Sequence, residues 1–311
     1  MNKVIYFKTS LFDVLKEKNN PINPIYGISL LEWLKETLKG KIEITGRTDV
    51  GCVRDHNEDA ISSDTSLGLA ILADGMGGHR GGEVASAITV STIYDTLSEK
   101  LKEFNESGID EKTGYSLESI SVHDAIAIAN SNVFDSSTEN EHYRGMGTTV
   151  VVLLFYDNRF TVAHVGDSRL YRIRDGVLEQ ITSDHSLMQE LVDRGFYTPE
   201  QARESLNKNL VTRAVGIEDK VRIDIQEDVA HADDIYLLCS DGLNDMIEDD
   251  LIHETIKKNA DDLEQAANEL IDEAKRHGGK DNVSVILARP LKSFPAQNSL
   301  FSGFFDLFSK T

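Results

Sequence analysis

The stretch TTVVVLLFYDNRFTVAHVGDSRLYRIRDGVLEQIT, residues 148–182, decides the fold. It reads as several apolar and β-branched runs in series. They are punctuated by Asp157-Asn158 and Asp175-Gly176, pairs suited to tight hairpin turns. Consecutive hairpins mean antiparallel pairing. Further strands are expected at 43–50, 67–73, 222–227, 234–239 and 283–288, and long helical patterns at roughly 82–104, 118–135 and 261–277. Runs of hairpins with the helices kept separate indicate α+β architecture and not a βαβ relay, and about nine strands form two sheets more readily than one.

Outside this body the chain carries two appendages. Residues 1–41 contain the loop-like NNPINP (19–24) and then a helical pattern that places Leu30, Leu31, Leu34 and Leu38 on one face, with Gly40 as its stop. Residues 291–311 form a tail in which Phe301, Phe304, Phe305 and Phe308 recur at roughly helical spacing. Such a tail either packs on its own domain, stays disordered, or serves as a docking peptide.

The formal charge of -21 on 311 residues argues against a non-specific nucleic-acid binder, whose affinity rests on cationic side chains that neutralise phosphates. It also disfavours docking on anionic membrane. No stretch approaches 18 consecutive apolar residues and the first residues lack an apolar leader core, so a cytoplasmic protein is expected. Two cysteines, Cys52 and Cys239, exclude a disulfide framework and fit a reducing compartment. Each stands two residues before a candidate site residue, Arg54 or Asp241. Positions i and i+2 of a strand share a face, a geometry that allows both thiols to lie just beneath the site; packing as small buried apolar groups is expected over redox sensitivity.

Acids recur where strands meet loops: Glu58 and Asp59 in VRDHNEDA, Asp74 in LADGMGG, Asp167 in HVGDSRLY, Asp241 in LLCSDGL, and Asp281 in GGKDNVSVILA. One Asp-Gly is first of all a turn signal. Several acids gathered at strand ends repel one another unless cations neutralise them. With oxygen donors only and no Cys/His cluster at zinc spacing, the expected cations are hard ones, Mg²⁺ or Mn²⁺. In AILADGMGGHRGGEVAS (70–86) the glycines after Asp74 suggest that the Gly75 carbonyl is itself a ligand, because glycine lets the backbone approach an ion. The run is not a phosphate-cradling loop, since the Gly-Lys-Ser/Thr ending is missing.

TDVGCVRDHNEDA, LADGMGGHRGGEVAS, GMGTTVVVLL, HVGDSRLYRIRDG, SDHSLMQELVDRGFYTPEQA, NLVTRAVG, LLCSDGLNDM and GGKDNVSVIL occur in the order seen in bacterial metal-dependent 2C-type serine/threonine protein phosphatases, and the chain resembles that family over about 43–290. The resemblance implies a phosphatase domain at 42–290, folded as a sandwich of two antiparallel sheets with helices on both outer faces. It also implies a binuclear Mn²⁺/Mg²⁺ centre at one end, with a weaker third metal. Asp74 resembles the carboxylate that bridges both metals, with the Gly75 carbonyl on one of them. Asp241 and Asp281 resemble ligands of the other. Glu58 would act through a water ligand, Asp59 and Asn282 would support, and Asp167 with Asp241 would take the third metal. Arg54 resembles the arginine that grips the substrate phosphate; its bland reading is a surface salt bridge with Asp55 or Glu58.

Two metals can activate a water for in-line attack on a phosphate monoester, so no covalent intermediate is expected. Met76 stands where some relatives carry a histidine, and neither His79 nor His185 is assigned as general acid; His185 is read as holding its loop. Residues 183–215 resemble the mobile flap that tunes substrate choice, with Thr198 as helix cap and Pro199 at the first helical position. Ser205-Leu206 stands where His-Pro is common, and Lys208 where Arg is, which touches flap contacts and not the metal centre. The implied partners are phosphorylated proteins, including a cognate Ser/Thr kinase and its substrates. The rivals are a dedicated phosphatase of one phosphoprotein in a partner-switching pathway and a catalytically silent binding domain.

Overall fold

The computed structural model describes residues 38–78, 80–103, 108–198, 201–202, 205 and 210–295. The helix expected through Leu30 and Leu34, His79, Pro199, Lys208 and the Phe-rich tail lie outside the described residues. In chain order the strands are β1 (Ile42–Asp49), β2 (Asp59–Asp64), β3 (Leu69–Met76), β4 (Gly147–Thr148), β5 (Val150–Tyr156), β6 (Arg159–Val165), β7 (Arg169–Arg174), β8 (Val177–Gln180), β9 (Asp224–Val229), β10 (Ile235–Cys239) and β11 (Val283–Pro290). The helices are α1 (Gly81–Glu103), α2 (Leu117–Glu139), α3 (Leu187–Asp193), α4 (Asp241–Asn244), α5 (Asp249–Lys258) and α6 (Leu263–Arg276).

The two expected hairpins form. Asp157 and Asn158 take φ of 42° and 56°, Asp175 and Gly176 take 51° and 76°, and these turns join β5 to β6 and β7 to β8. Every strand pair is antiparallel. One sheet has five strands in the order β1-β11-β10-β7-β8, and the other runs β2-β3-β5-β6-β9 with β4 beside β3.

Three apolar layers hold these sheets together. Between them Leu72, Val151, Leu153, Phe155, Phe160, Tyr236, Leu238 and Ile286 interdigitate, with Phe155 and Phe160 edge-on to Tyr236 at 5.2 and 4.9 Å. Leu69, Ile71, Val150, Val152 and Leu154 face the other way, against α1 and α2. Leu237, Cys239, Val285 and Leu287 meet α5 and α6. A strand covered on both faces needs apolar residues at odd and even positions alike, which is why VVVLLF in β5 does not alternate. Leu38 packs against the inter-sheet layer and Phe294 is buried in it, so the packed body reaches slightly beyond 42–290.

Eleven strands stand among the described residues, against the nine or so expected. β2 was hidden because DAISSD has no apolar run; it is an edge strand with mostly half-buried side chains. α5 lies in an acid-rich stretch, yet Leu251, Ile252, Thr255 and Ile256 carry a helical repeat that could have revealed it. Antiparallel pairing then brings together at one end of the sandwich the C-terminal ends of β1, β3, β6 and β10 and the N-terminal ends of β2, β7 and β11.

Candidate metal centre

That end carries every acid singled out in the sequence. Asp59 opens β2 and is the register partner of Asp74 near the end of β3. Asp167 lies in the link from β6 to β7, Asp241 opens α4 directly after β10 and Ser240, and Asp281 stands two residues before β11. Their charges act on one another. The Asp74 carboxyl is held well above the usual carboxylate range, first by burial and then by Asp59, Asp241, Asp167 and Asp281. Asp241 is raised likewise by burial, then by Asp167, Asp245, Asp281 and Asp59. Burial pushes Asp59 and Asp167 up to about 6, with Asp281 adding to the first and Asp184 to the second. Like charges at such spacing are tolerated only where protons or cations offset them.

Among the described residues, no three carboxylates, imidazoles or thiols are drawn up around one point as a finished cation site. The fit to a cation rests on two other observations. All the donors are oxygens, and the Asp59 Oδ1 atom is buried without a hydrogen-bond partner, a costly arrangement unless something there satisfies it. Hard divalent cations match this donor set.

The loop 50–58 is stapled over the site by Asn282. Its Oδ1 accepts from Glu58 N at 2.8 Å, and its Nδ2 donates to the Val50 and His56 carbonyls at 3.1 and 3.0 Å. Glu58 Oε1 lies 3.4 Å from His56 Nε2. Arg54 pairs with neither Asp55 nor Glu58. Its Nη2 donates to Asp281 Oδ2 at 2.6 Å, and this bond, ahead of other causes, raises the guanidinium pKa. The bland reading, a salt bridge to Asp55 or Glu58, is therefore not met; the ion pair that forms has a partner remote in sequence, and it leaves the phosphate reading untouched.

The glycines after Asp74 have a reason the sequence did not give. A Cβ on Gly75 would stand 2.1 Å from Gly82 O and 2.5 Å from Glu58 O. Here the start of α1 crosses the end of β3, and Gly75 N donates to Glu58 O at 3.1 Å. Gly75 and Gly82 serve chain-on-chain packing that fixes Asp74 and Glu58 together, whatever the Gly75 carbonyl binds.

Of the two cysteines, Cys239 is packed as a small buried apolar group and Cys52 is not. Cys52 lies in a turn and is exposed. Cys239 is buried in the layer under α5 and α6, away from the inter-sheet face, and burial pushes its thiol up to about 12. His185 is buried and does hold its loop: its Nδ1 accepts from Gly166 N at 3.1 Å, its ring stacks on His164 at 4.5 Å, and Asp224 Oδ2 lies 3.3 Å from its Nε2. Burial lowers its pKa to about 4, so the ring is neutral.

Within the flap, Ser186 caps α3 by accepting from Gln189 N at 3.2 Å. Thr198 and Gln201 cap each other, with Thr198 N donating to Gln201 Oε1 at 2.9 Å and Gln201 N to Thr198 Oγ1 at 3.3 Å. Sequence reasoning missed Asp184, whose carboxylate takes Arg169 Nε at 3.0 Å and Nη2 at 2.7 Å beside Asp167. It also missed Ser240 and Ser284, which bind Asp59. None of these stands in a motif of its own, though the two serines lie within three residues of Asp241 and Asp281.

The family model for Protein phosphatase 2C matches residues 53–284. The chain belongs to that family. It is 39% identical over 249 residues to the serine/threonine protein phosphatase PstP of Mycobacterium tuberculosis, across 79% of this chain and 45% of PstP. It therefore spans about half the length of that relative. Against the serine/threonine phosphatase stp of Listeria monocytogenes the identity is 34% over 244 residues, across 78% of this chain and 93% of the relative. The crystal structure of the PstP catalytic domain, described as a complex with 2 manganese ions, superposes with a TM-score of 0.67 at 37% identity, covering 80% of this chain and 97% of that one. Family membership accounts for the sandwich and for the order of the motifs along it. Among the described residues, no helix is long and apolar enough to cross a membrane.

Proposed function

We propose that this chain is a metal-dependent protein phosphatase that hydrolyses phosphoserine and phosphothreonine in proteins. The observation that carries the reading is the gathering of Asp59, Asp74, Asp167, Asp241 and Asp281 at one end of the sandwich, with Arg54 at its rim. Asp74, Asp241 and Asp281 would hold two Mn²⁺ or Mg²⁺ ions with the Gly75 carbonyl, Glu58 would act through water, and Asp167 with Asp241 would take a weaker third. Such ions, when bound, lower the pKa of a water and offset charge on the phosphoryl group.

The chain's own residues do the rest. Asp281 fixes one arm of Arg54, whose side chain is 51% exposed. That half-exposed planar fork would have its other N–H donors to offer to phosphate oxygens. Asn282 keeps Arg54 and Glu58 in register with Asp281. Flap residues 183–215 border the acids through Asp184 and Arg169, a placement that suits them to reading the polypeptide around the phosphorylated residue. The proposed partners are a Ser/Thr kinase and its phosphorylated substrates, in the cytoplasm.

Phosphate release from a panel of phosphoserine and phosphothreonine peptides tests this. Release is expected with Mn²⁺, stops on chelation, returns when Mn²⁺ is restored, and is lost in Asp241→Asn. Turnover that survives chelation, or full turnover by Asp241→Asn, overturns the assignment.

A further inference from the structure

Ser240 breaks a local rule. It is the residue before α4, where a serine normally turns its hydroxyl back to cap the helix. Here the side chain makes no cap hydrogen bond. Its Oγ donates instead to Asp59 Oδ2 at 2.9 Å and accepts from Ser284 N at 3.0 Å. Local rules broken without an evident structural gain tend to mark functional positions.

Ser284 supplies the second half. It lies in β11, where its neighbours two and four residues on, Ile286 and Ala288, face the inter-sheet layer, and it is 0% exposed, as is Ser240. Its Oγ donates to Asp59 Oδ2 at 2.6 Å and lies 2.8 Å from Thr48 Oγ1, which accepts from Asn57 Nδ2 at 2.7 Å. A hydroxyl carries one hydrogen. With a carboxylate in reach, that hydrogen goes to Asp59, and the contact with Thr48 is carried by the Thr48 hydrogen. The donors behind Ser284 thus fix which way it points, and Ser284 N fixes Ser240.

Both hydroxyls fall on the same oxygen. Asp59 is 9% exposed, Oδ2 takes two donors, and the buried Oδ1 has none. A carboxylate held only for structure gains more from one donor on each oxygen. The lopsided arrangement makes sense if Oδ1 is kept open towards the cation site, where the neighbouring Asp74 carboxyl serves as a partner only while it holds a proton. Asp59 faces Asp74 directly across the β2–β3 pair, and the two carboxyls attract only while a proton is shared between them; with both ionised beside a cation, an unrestrained Asp59 carboxylate has reason to turn away.

We propose that Ser240 and Ser284 are positioning residues that clamp Asp59 by Oδ2, so that Oδ1 stays free to accept a hydrogen bond from water at the cation site. The clamp joins the segments that carry the ligands: Ser240 immediately precedes Asp241, Ser284 follows Asp281 by three residues, and Ser240 N donates to Ser284 O at 3.1 Å. The inference rests on the proposed metal centre and adds how one of its acids is aimed.

The test uses the full chain with Ser240→Ala and Ser284→Ala, singly and in the Asp59→Asn background. Manganese binding is measured by calorimetry, kcat and KM on a phosphopeptide, and the urea midpoint of the metal-free chain. Each alanine is expected to weaken Mn²⁺ binding or kcat about tenfold, the low end for groups that orient a metal's ligands, with KM for the peptide nearly unchanged. In Asp59→Asn the further effect of Ser284→Ala should shrink to about nothing, because the group it aims is gone. The proposal is overturned if the alanine variants lower only the urea midpoint, or if Ser284→Ala is as damaging in Asp59→Asn as in the parent. Should the parent bind Mn²⁺ yet release no phosphate, the function reading fails while the calorimetry still judges the clamp.

Discussion

Truncating Asn282 to alanine should loosen the site and the fold together. The side chain is 5% exposed and makes three hydrogen bonds across the gap between β11 and the loop 50–58. At about 1 kcal/mol net for each bond, the loss is roughly 3 kcal/mol. Val50 and His56 sit in a loop where water can reach the freed carbonyls, which lowers the expectation to roughly 2–3 kcal/mol. For a domain of this size that corresponds to a fall of about 4–12 °C in melting temperature. Urea unfolding of the metal-free chain reads the stability, and phosphopeptide turnover reads the site. Because Arg54 and Glu58 ride on the released loop, KM for the peptide should rise along with the loss of stability. Asn282→Asp sharpens the test. It keeps an acceptor for Glu58 N but replaces both donations with a carboxylate facing two carbonyls, so it should be no more stable than the alanine variant. An alanine variant within about 0.5 kcal/mol of the parent, with unchanged KM, would show that the loop is held by something other than Asn282.

Two further outcomes follow from the acids and the glycines. Asp167 titrates at about 6, above the ordinary 3.8, mainly through burial; the cost of its charge is therefore fully present above about pH 6, fades as pH falls, and is gone below about pH 4. Asp167→Asn should accordingly stabilise the chelated protein by about 1–3 kcal/mol at pH 7.5 and not at pH 4, and urea midpoints that do not differ at pH 7.5 would refute this. Gly75→Ala drives a Cβ to 2.1 Å from Gly82 O, so a loss of stability above about 3 kcal/mol and of Mn²⁺ binding is expected; calorimetry and urea unfolding check it, and a variant that keeps both disproves the close crossing.

The hairpins, the helix-rich segments and the acids were legible in the sequence because each is a local signal. Asp157-Asn158 sets a turn by its own backbone preferences, and β5 announces itself by six buried residues in a row. Pairing across the chain was not legible. Nothing in IEITGRTD says that β1 lies along β11, because that choice is made by which apolar faces fit. The same limit explains the site. Asp74 and Asp241 could be picked out beside their glycines, whereas the partner of Arg54 is Asp281, a residue remote in sequence. Ser240 and Ser284 look like ordinary serines until their hydroxyls are seen on Asp59. β2 escaped because an edge strand needs few apolar side chains, and Cys52 was misplaced because it sits in a turn, where the alternation of a strand does not apply.

The layering bears on how the chain is made. β5 and β6 are central in their sheet and greasy on both faces, the kind of segment that sticks to other nascent chains when left bare. The helices that cover one of those faces, α1 and α2, leave the ribosome first. A permuted gene that delivered residues 148–182 ahead of residues 81–139 would yield the same sandwich on paper and more aggregate in the cell.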